Sequence, residues 1–423
     1  MAFTYNINNK IDDTKSRNAL LVCHSMTEII ELFITTFLVA YIYSFDTNPF
    51  TYIKNVGIYY LFKFFVQSFT TIIGSKVVDT TNRIWTYRFA IMLRAVFVVI
   101  IIFVGSSLSK ILPLAGILVG IVDGCYYAAY NIIKQEMVSR KNYNRFSLLY
   151  FISVKAIGVI FPLIFGTLID ASSYSMVAIL VFFIALAQII ISIFITSQKP
   201  EGSKFSIKSY NKKLIANPEV LRRIRLIYII SCVYAVSSIL SVLTQVMIML
   251  EFKTNFSMGW LTSVCAAVSI VMIFVVGKLT KPTKRSWLFI MSSIIIVASV
   301  TALAIITNQA TIIIFNIAYV ISGYNYRYVF DVYRNQTLKE AGLYSEIGEH
   351  QALIEFLLCM SRSIAFIILI AVSLFRIDII LKVFMVANSL FAALLLVLCM
   401  RYENKYAIVT QSSQSQEQNT LEK

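Results

Sequence analysis

The sequence predicts an all-α polytopic membrane protein, with twelve transmembrane helices in two pseudo-symmetric six-helix bundles. Three observations carry that expectation. Apolar runs of about 20 residues, the length that crosses a bilayer, recur from end to end. Of 423 residues, 58% are hydrophobic and only 14% charged, and the mean hydropathy is +0.78. No water-soluble domain larger than a loop is available. Basic residues gather in alternate loops, and the second half of the chain repeats features of the first.

The expected spans cover 18-44, 50-74, 84-106, 110-136, 145-169, 174-197, 224-249, 256-279, 286-306, 309-335, 346-374 and 377-401. Lys76 and Arg83, Arg140 and Lys141, the group from Lys199 to Arg223, and Lys278, Lys281, Lys284 and Arg285 all follow even-numbered spans. Loops after odd-numbered spans carry at most one basic residue each, such as Lys110, Lys253 and Arg376. By the positive-inside rule this places both termini in the cytoplasm of a plasma-membrane protein. The net charge of +16 is therefore topological and does not point to nucleic acid. The first apolar run is too long for a cleavable signal and is expected to insert as a span.

The polar segment 198-223 divides the chain into an N-terminal six-helix bundle, 1-197, and a C-terminal one, 224-402, and reads as a cytoplasmic linker. The Ser/Gln-rich tail 403-423 is too polar to pack a core and is expected to be disordered. The halves also show signs of duplication. At an offset of 202, Arg83 and Trp85 overlay Arg285 and Trp287, with Asp79 on Lys281; at 201, Tyr127, Gln135 and Tyr143 overlay Tyr328, Gln336 and Tyr344.

Polar stripes mark the faces that cannot meet lipid. Span 1 places His24, Glu28, Glu31 and Thr35 within one narrow stripe. An ionisable group at mid-bilayer costs about 2.5–3.5 kcal/mol on insertion scales, so these carboxylates need partners, protonation or water. An ion-pair staple between helices and a functional role both fit. Span 4 carries Gly116, Gly120, Asp123, Tyr127, Tyr130 and Lys134 along one side; span 10 carries Tyr324, Tyr328, Asp331 and Asn335, flanked by Arg327 and Arg334. Lys155 in span 5 wants a carboxylate, and Glu28, Glu31 and Asp123 are the candidates. In span 11, Glu355 and Arg362 share a face. Arg94 in span 3 is expected to reach toward the cytoplasmic side.

The six cysteines are scattered with no CxxC pair, and there is no HExxH, so neither a metal, a cofactor nor a disulfide framework is expected. Only His24 and His350 exist as imidazoles, with no nucleophile motif beside them, which argues against an enzyme.

Twelve spans in two related halves, cytoplasmic termini and a basic middle loop resemble the major facilitator superfamily over residues 18–401. The sharpest local match is Ser75-Lys-Val-Val-Asp79-Thr-Thr-Asn-Arg83, where the family has a glycine at the position of Ser75. Its second copy runs from Gly277 to Arg285, with Lys281 in place of the acid. The resemblance implies that spans 1, 4, 7 and 10 surround a central path, with 2, 5, 8 and 11 closing the halves together.

The expected function is secondary active transport of a small polar, zwitterionic or amphipathic solute by alternating access, coupled to protons and carried out by a monomer. Glu28 or Glu31 would carry the proton, since removal from water favours a neutral carboxyl, with Asp123 and Lys155 tuning its charge. His24, Tyr127, Tyr130, Tyr328, Asp331, Arg327 and Glu355 would contact solute. Asp79, Arg83, Gly277 and Arg285 would form the cytoplasmic gate. A non-transporting receptor or lipid flippase on the same scaffold is the alternative.

Overall fold

The computed structural model describes residues 14–45, 48–80, 83–137, 140–196, 205–279, 285–340, 343 and 346–421; within 135–145, 276–286, 324–333 and 402–421 it describes helical backbone almost alone. The elements are α1 (Thr14–Leu32), a π-helical segment (Phe33–Phe37), α2 (Leu38–Tyr43), α3 (Pro49–Thr80), α4 (Arg83–Val104), α5 (Leu112–Met137), α6 (Arg140–Ala171) and α7 (Tyr174–Ser192). Then follow α8 (Ile207–Ala216), α9 (Pro218–Ser237), α10 (Ile239–Phe252), α11 (Asn255–Leu279), α12 (Arg285–Ile305), α13 (Gln309–Glu340), α14 (Ile347–Leu374) and α15 (Asp378–Leu421).

Local chemistry sets several of these boundaries. Asn48 accepts from Phe50 N at 3.1 Å and Thr51 N at 3.3 Å, with Pro49 opening α3, which is the ordinary pairing of a polar cap and a first-turn proline. Ser173 caps α7 and Asn217 caps α9 ahead of Pro218 in the same way.

Eleven helical stretches among the described residues are long and apolar enough to cross a membrane. Of the tenth expected span, the apolar helical part among the described side chains is Gln309–Gly323, and α13 continues beyond it to Glu340. The linker departs from a plain connector, since it contains α8. In α15, backbone helix continues through the tail in which disorder was expected; its Gln and Glu residues have good helix propensity, and a helix needs no core to satisfy its own backbone.

The first helix is interrupted by the π segment, and its relative in the second half breaks between α9 and α10 at Ser238. At the offset of 202, Ser238 falls on Thr36, inside the π segment. Beyond these breaks α2 packs on α10, and Phe37, Leu38, Ile42, Ile239, Leu243 and Val246 share one buried cluster. Across the halves, α3 runs along α14 and α6 along α11. Within the first half α3 lies unusually close to α5. A Cβ at Gly116, Gly120 or Gly124 would collide with Tyr59 and Lys63 backbone or with Thr70, so this small-residue stripe is what lets the two helices touch.

Candidate functional site

The contact between α3 and α5 carries the charges that matter. Lys63 Nζ lies 2.9 Å from Asp123 Oδ2, and Arg94 of α4 donates to Asp123 Oδ1 at 3.1 Å. All three side chains are 5% exposed or less. Charges so deeply buried persist only when paired and hydrogen-bonded. Two cations against Asp123 leave one positive charge over, and Glu31 of α1 supplies the fourth member. Glu31, Lys63, Arg94 and Asp123, with Ile34, Phe97, Val119 and Val122, line a cavity of about 10 Å³, roughly the room one water needs.

Glu31 is half-buried and is held differently from Asp123. Its Oε2 accepts from the Tyr127 hydroxyl at 2.7 Å, and its backbone carbonyl accepts from Thr35 Oγ1 at 2.8 Å. The π segment begins two residues later, and the Tyr60 hydroxyl donates to the Thr35 carbonyl inside it at 3.1 Å. Irregular helical turns of this kind free a carbonyl for an outside donor, and they recur at functional sites.

Two turns earlier on α1, His24 is buried among aromatic rings. Its Nδ1 is 2.8 Å from the Tyr126 hydroxyl, and its Nε2 is 3.2 Å from both Tyr150 and Glu28. It stacks on Tyr130, with ring centroids 4.2 Å apart. The Lys134 ammonium lies 4.8 Å from the Tyr150 centroid and the Arg94 guanidinium 4.7 Å from that of Tyr126.

The expected residues divide as follows. Glu31, Asp123 and Tyr127 come together, and Glu28, His24 and Tyr130 form the adjoining aromatic cluster. Lys155 donates instead to Ser269 of α11 at 2.9 Å, while Asp123 takes Lys63 and Arg94. Arg94 is not directed to the cytoplasmic side: it faces inward because Asp123 is within reach one helix away. Arg88 bonds the Ser192 and Ile193 carbonyls that end α7. Glu355 accepts from Gln351 at 3.0 Å, and Arg362 lies 4.9 Å from the Phe64 ring centroid across the halves. The side chains of Arg327, Tyr328, Asp331, Gly277 and Arg285 lie outside the described residues. Sequence reasoning missed Lys63, although a lysine in the run IYYLFKFFV is the same signal that exposed Glu31.

Asp79 meets the linker. Its carboxylate accepts from Phe205 N, and the next amide, Ser206 N, donates to Glu349 Oε1 of the α14 first turn at 3.1 Å. Behind them α8 is seated on the second half. Tyr210 is 2.8 Å from His350 Nδ1, Lys213 pairs with Glu346, and Leu214 is buried with Ile224, Ile227 and Leu338. Burial, then the neighbouring Tyr228, pushes the Tyr210 phenol well above its ordinary range. Arg83, at the start of α4, is 8% exposed.

Among the described residues, the second half has no equivalent of Glu31, Lys63 and Arg94. At the offset of 202, Glu31, Lys63 and Arg94 fall on Val233, Cys265 and Ile296. Ile296 lines a cavity of about 20 Å³ with Tyr234, Ser237, Tyr319, Ser322, Gly323 and Ser389, without an acid or a base. Among the described residues no group of His, Cys, Asp and Glu could hold a metal ion.

Residues 20–345 match the family model of the Major Facilitator Superfamily. Two curated relatives are bacillary: "Uncharacterized protein in sodM 3'region" of Geobacillus stearothermophilus, 26% identical over 141 residues, and "Uncharacterized protein YqgE" of Bacillus subtilis (strain 168), 20% identical over 281. The matches cover 32% and 64% of this chain, and span 64% and 63% of those relatives' lengths. Among solved structures, a POT family transporter in complex with a thioalcohol conjugated peptide superposes with a TM-score of 0.70 at 8% identity, covering 92% of this chain and 96% of that one. Another POT family transporter, in complex with 5-aminolevulinic acid, gives 0.67 at 10%, covering 92% and 96%. The nucleoside transporter NupG gives 0.68 at 10%, covering 91% and 99%. At these identities the likeness is one of fold.

Proposed function

This chain belongs to the Major Facilitator Superfamily, and from that premise we propose that it is a proton-coupled secondary transporter of small polar or zwitterionic solutes, with Glu31 as its coupling group. Membership makes it a membrane transporter and not an enzyme. One observation carries the coupling assignment. Asp123 engages both buried cations, whereas the Glu31 carboxylate is held by a neutral hydroxyl. Glu31 can therefore gain or lose a proton without breaking a direct ion pair, and Asp123 cannot.

In this reading two six-helix bundles, 1-197 and 224-402, rock about a midplane path, with the linker and both termini cytoplasmic. Proton chemistry stays in the first bundle, because the second carries Val233, Cys265 and Ile296 at the matching positions. Solute lies between the bundles, reached by Tyr127 and Glu28 from one side and by Arg327, Tyr328, Asp331 and Glu355 from the other. His24 and Tyr130 shape that wall through their mutual stacking. Asp79 and Arg83, with Gly277 and Arg285, close the cytoplasmic end, and the linker amide bound by Asp79 supports that assignment. Fold neighbours in complex with a peptide and with 5-aminolevulinic acid support a small zwitterionic solute.

The test is to rank metabolites co-purifying with the protein by thermal shift and to measure flux of the best in proteoliposomes, with and without a pH gradient. Uptake that rises with an inward proton gradient supports the reading. Binding without flux contradicts it.

A further inference from the structure

At the end of the molecule opposite the linker, Asp170 holds an odd position. It is the penultimate residue of α6, so its carboxylate sits at the negative end of its own helix. It turns instead to the start of α11, in the other half of the chain. Asp170 Oδ1 accepts from Asn255 N at 3.1 Å and Asn255 Nδ2 at 2.8 Å, and Oδ2 accepts from Phe256 N at 2.7 Å.

The first four amides of a helix have no partner within it, and all four of α11 can be traced. Ser257 N reaches Thr254 Oγ1 at 3.2 Å and Met258 N the Thr254 carbonyl at 3.4 Å, both local. The remaining two, Asn255 and Phe256, are satisfied by Asp170 alone among the described residues. The helix thus borrows half of its cap from the opposite half of the protein. One turn deeper, a Cβ at Gly166 would collide with the Asn255 carbonyl and one at Gly259 with the Pro162 carbonyl, so the two backbones are in contact where the cap forms.

We propose that Asp170 is the extracellular latch of the transport cycle: a carboxylate of the first half that caps a second-half helix only while the outer face is closed. The cap costs the closed state nothing beyond a carboxylate misplaced on α6, and it disappears when α6 and α11 part, leaving two amides for water. Asp170 is a positioning residue. It touches no solute, and it biases the balance between outward-open and outward-closed forms. The inference rests on the alternating-access reading above.

The experiment measures spin-label distances across the outer face, between K110C and Q309C, on a cysteine-free background in lipid nanodiscs at acidic and alkaline pH. Lys110 and Gln309 are both exposed and lie in different halves. D170A is expected to raise the long-distance, outward-open fraction relative to the closed one by about fivefold, the factor that loss of an ordinary helix cap represents. D170N keeps one of the two accepting oxygens and is expected to change it by less than D170A does. N255P removes two of the three donors from the other side of the contact at a first-turn position where proline is tolerated. It should shift the fraction in the same direction, which keeps the test open if D170A folds poorly. A folded D170A or N255P with an unchanged distribution overturns the latch, as does a D170N shift equal to that of D170A. One invariant distance in the parent protein at every pH would instead count against alternating access itself.

Discussion

Tyr127 donates its hydroxyl to Glu31 at 2.7 Å from the same face of α5 that, one turn earlier, holds Asp123 between Lys63 and Arg94. Two carboxylates thus sit side by side in contrasting company, one locked by cations and the other by a neutral, removable proton donor. Replacing Tyr127 with Phe removes a single hydrogen bond to a charged group, worth about 1.5–3 kcal/mol, without opening a cavity. The expected result is a folded protein with a lowered proton-to-solute ratio, read by a pH-sensitive dye inside proteoliposomes.

Asp123 behaves as a structural keystone in this arrangement. Asp123→Ala leaves two buried cations facing each other, and breaking a buried pair by removing one partner costs about 3–5 kcal/mol. The thermal unfolding midpoint in detergent should fall steeply. Lys155→Met, at a half-buried lysine bonded to Ser269, should leave that midpoint nearly in place.

The glycine stripe of α5 is needed before any of these charges can meet. Gly120→Leu places a branched side chain against the Lys63 backbone, and overpacking of this kind costs about 1–3 kcal/mol. Because it pushes α3 away, it should also uncouple transport in whatever fraction still folds, and flux per folded molecule measures that.

At the cytoplasmic corner, Phe205→Pro deletes the amide that Asp79 accepts, ahead of the Ser206 cap and therefore outside the α8 hydrogen-bond ladder. Labelling of E28C by a membrane-impermeant maleimide from the cytoplasmic side should rise several-fold. Equal labelling with and without the substitution would remove the linker from the gate.

What could be read from the sequence follows a physical divide. Glu31, Asp123 and Tyr127 were legible because a polar group in an apolar helix is expensive wherever it points, so its presence alone announces a partner. Partner identity was not legible. Arg94 is a long cationic side chain, for which snorkelling to water is the ordinary outcome, and only the proximity of α4 to α5 turns it inward. Lys155 looked like a mate for a carboxylate because no sequence rule shows that Asp123 is already engaged twice. The π segment FITTF carries no breaker such as proline or glycine, and its irregularity comes from tertiary donors such as Tyr60. Asp170 was invisible for a similar reason. A carboxylate at a helix end reads as solvated, and its partners are backbone amides of Asn255 and Phe256, which every sequence possesses.

The most direct measurement is concentrative uptake against exchange in proteoliposomes containing Glu31→Gln, using the solute that most stabilises the parent protein. Glutamine keeps an acceptor for Tyr127 but cannot carry a proton. Gradient-driven accumulation should vanish while exchange of preloaded solute persists at a rate close to that of the parent. Accumulation that survives in E31Q would place the coupling elsewhere and contradict the role assigned to Glu31.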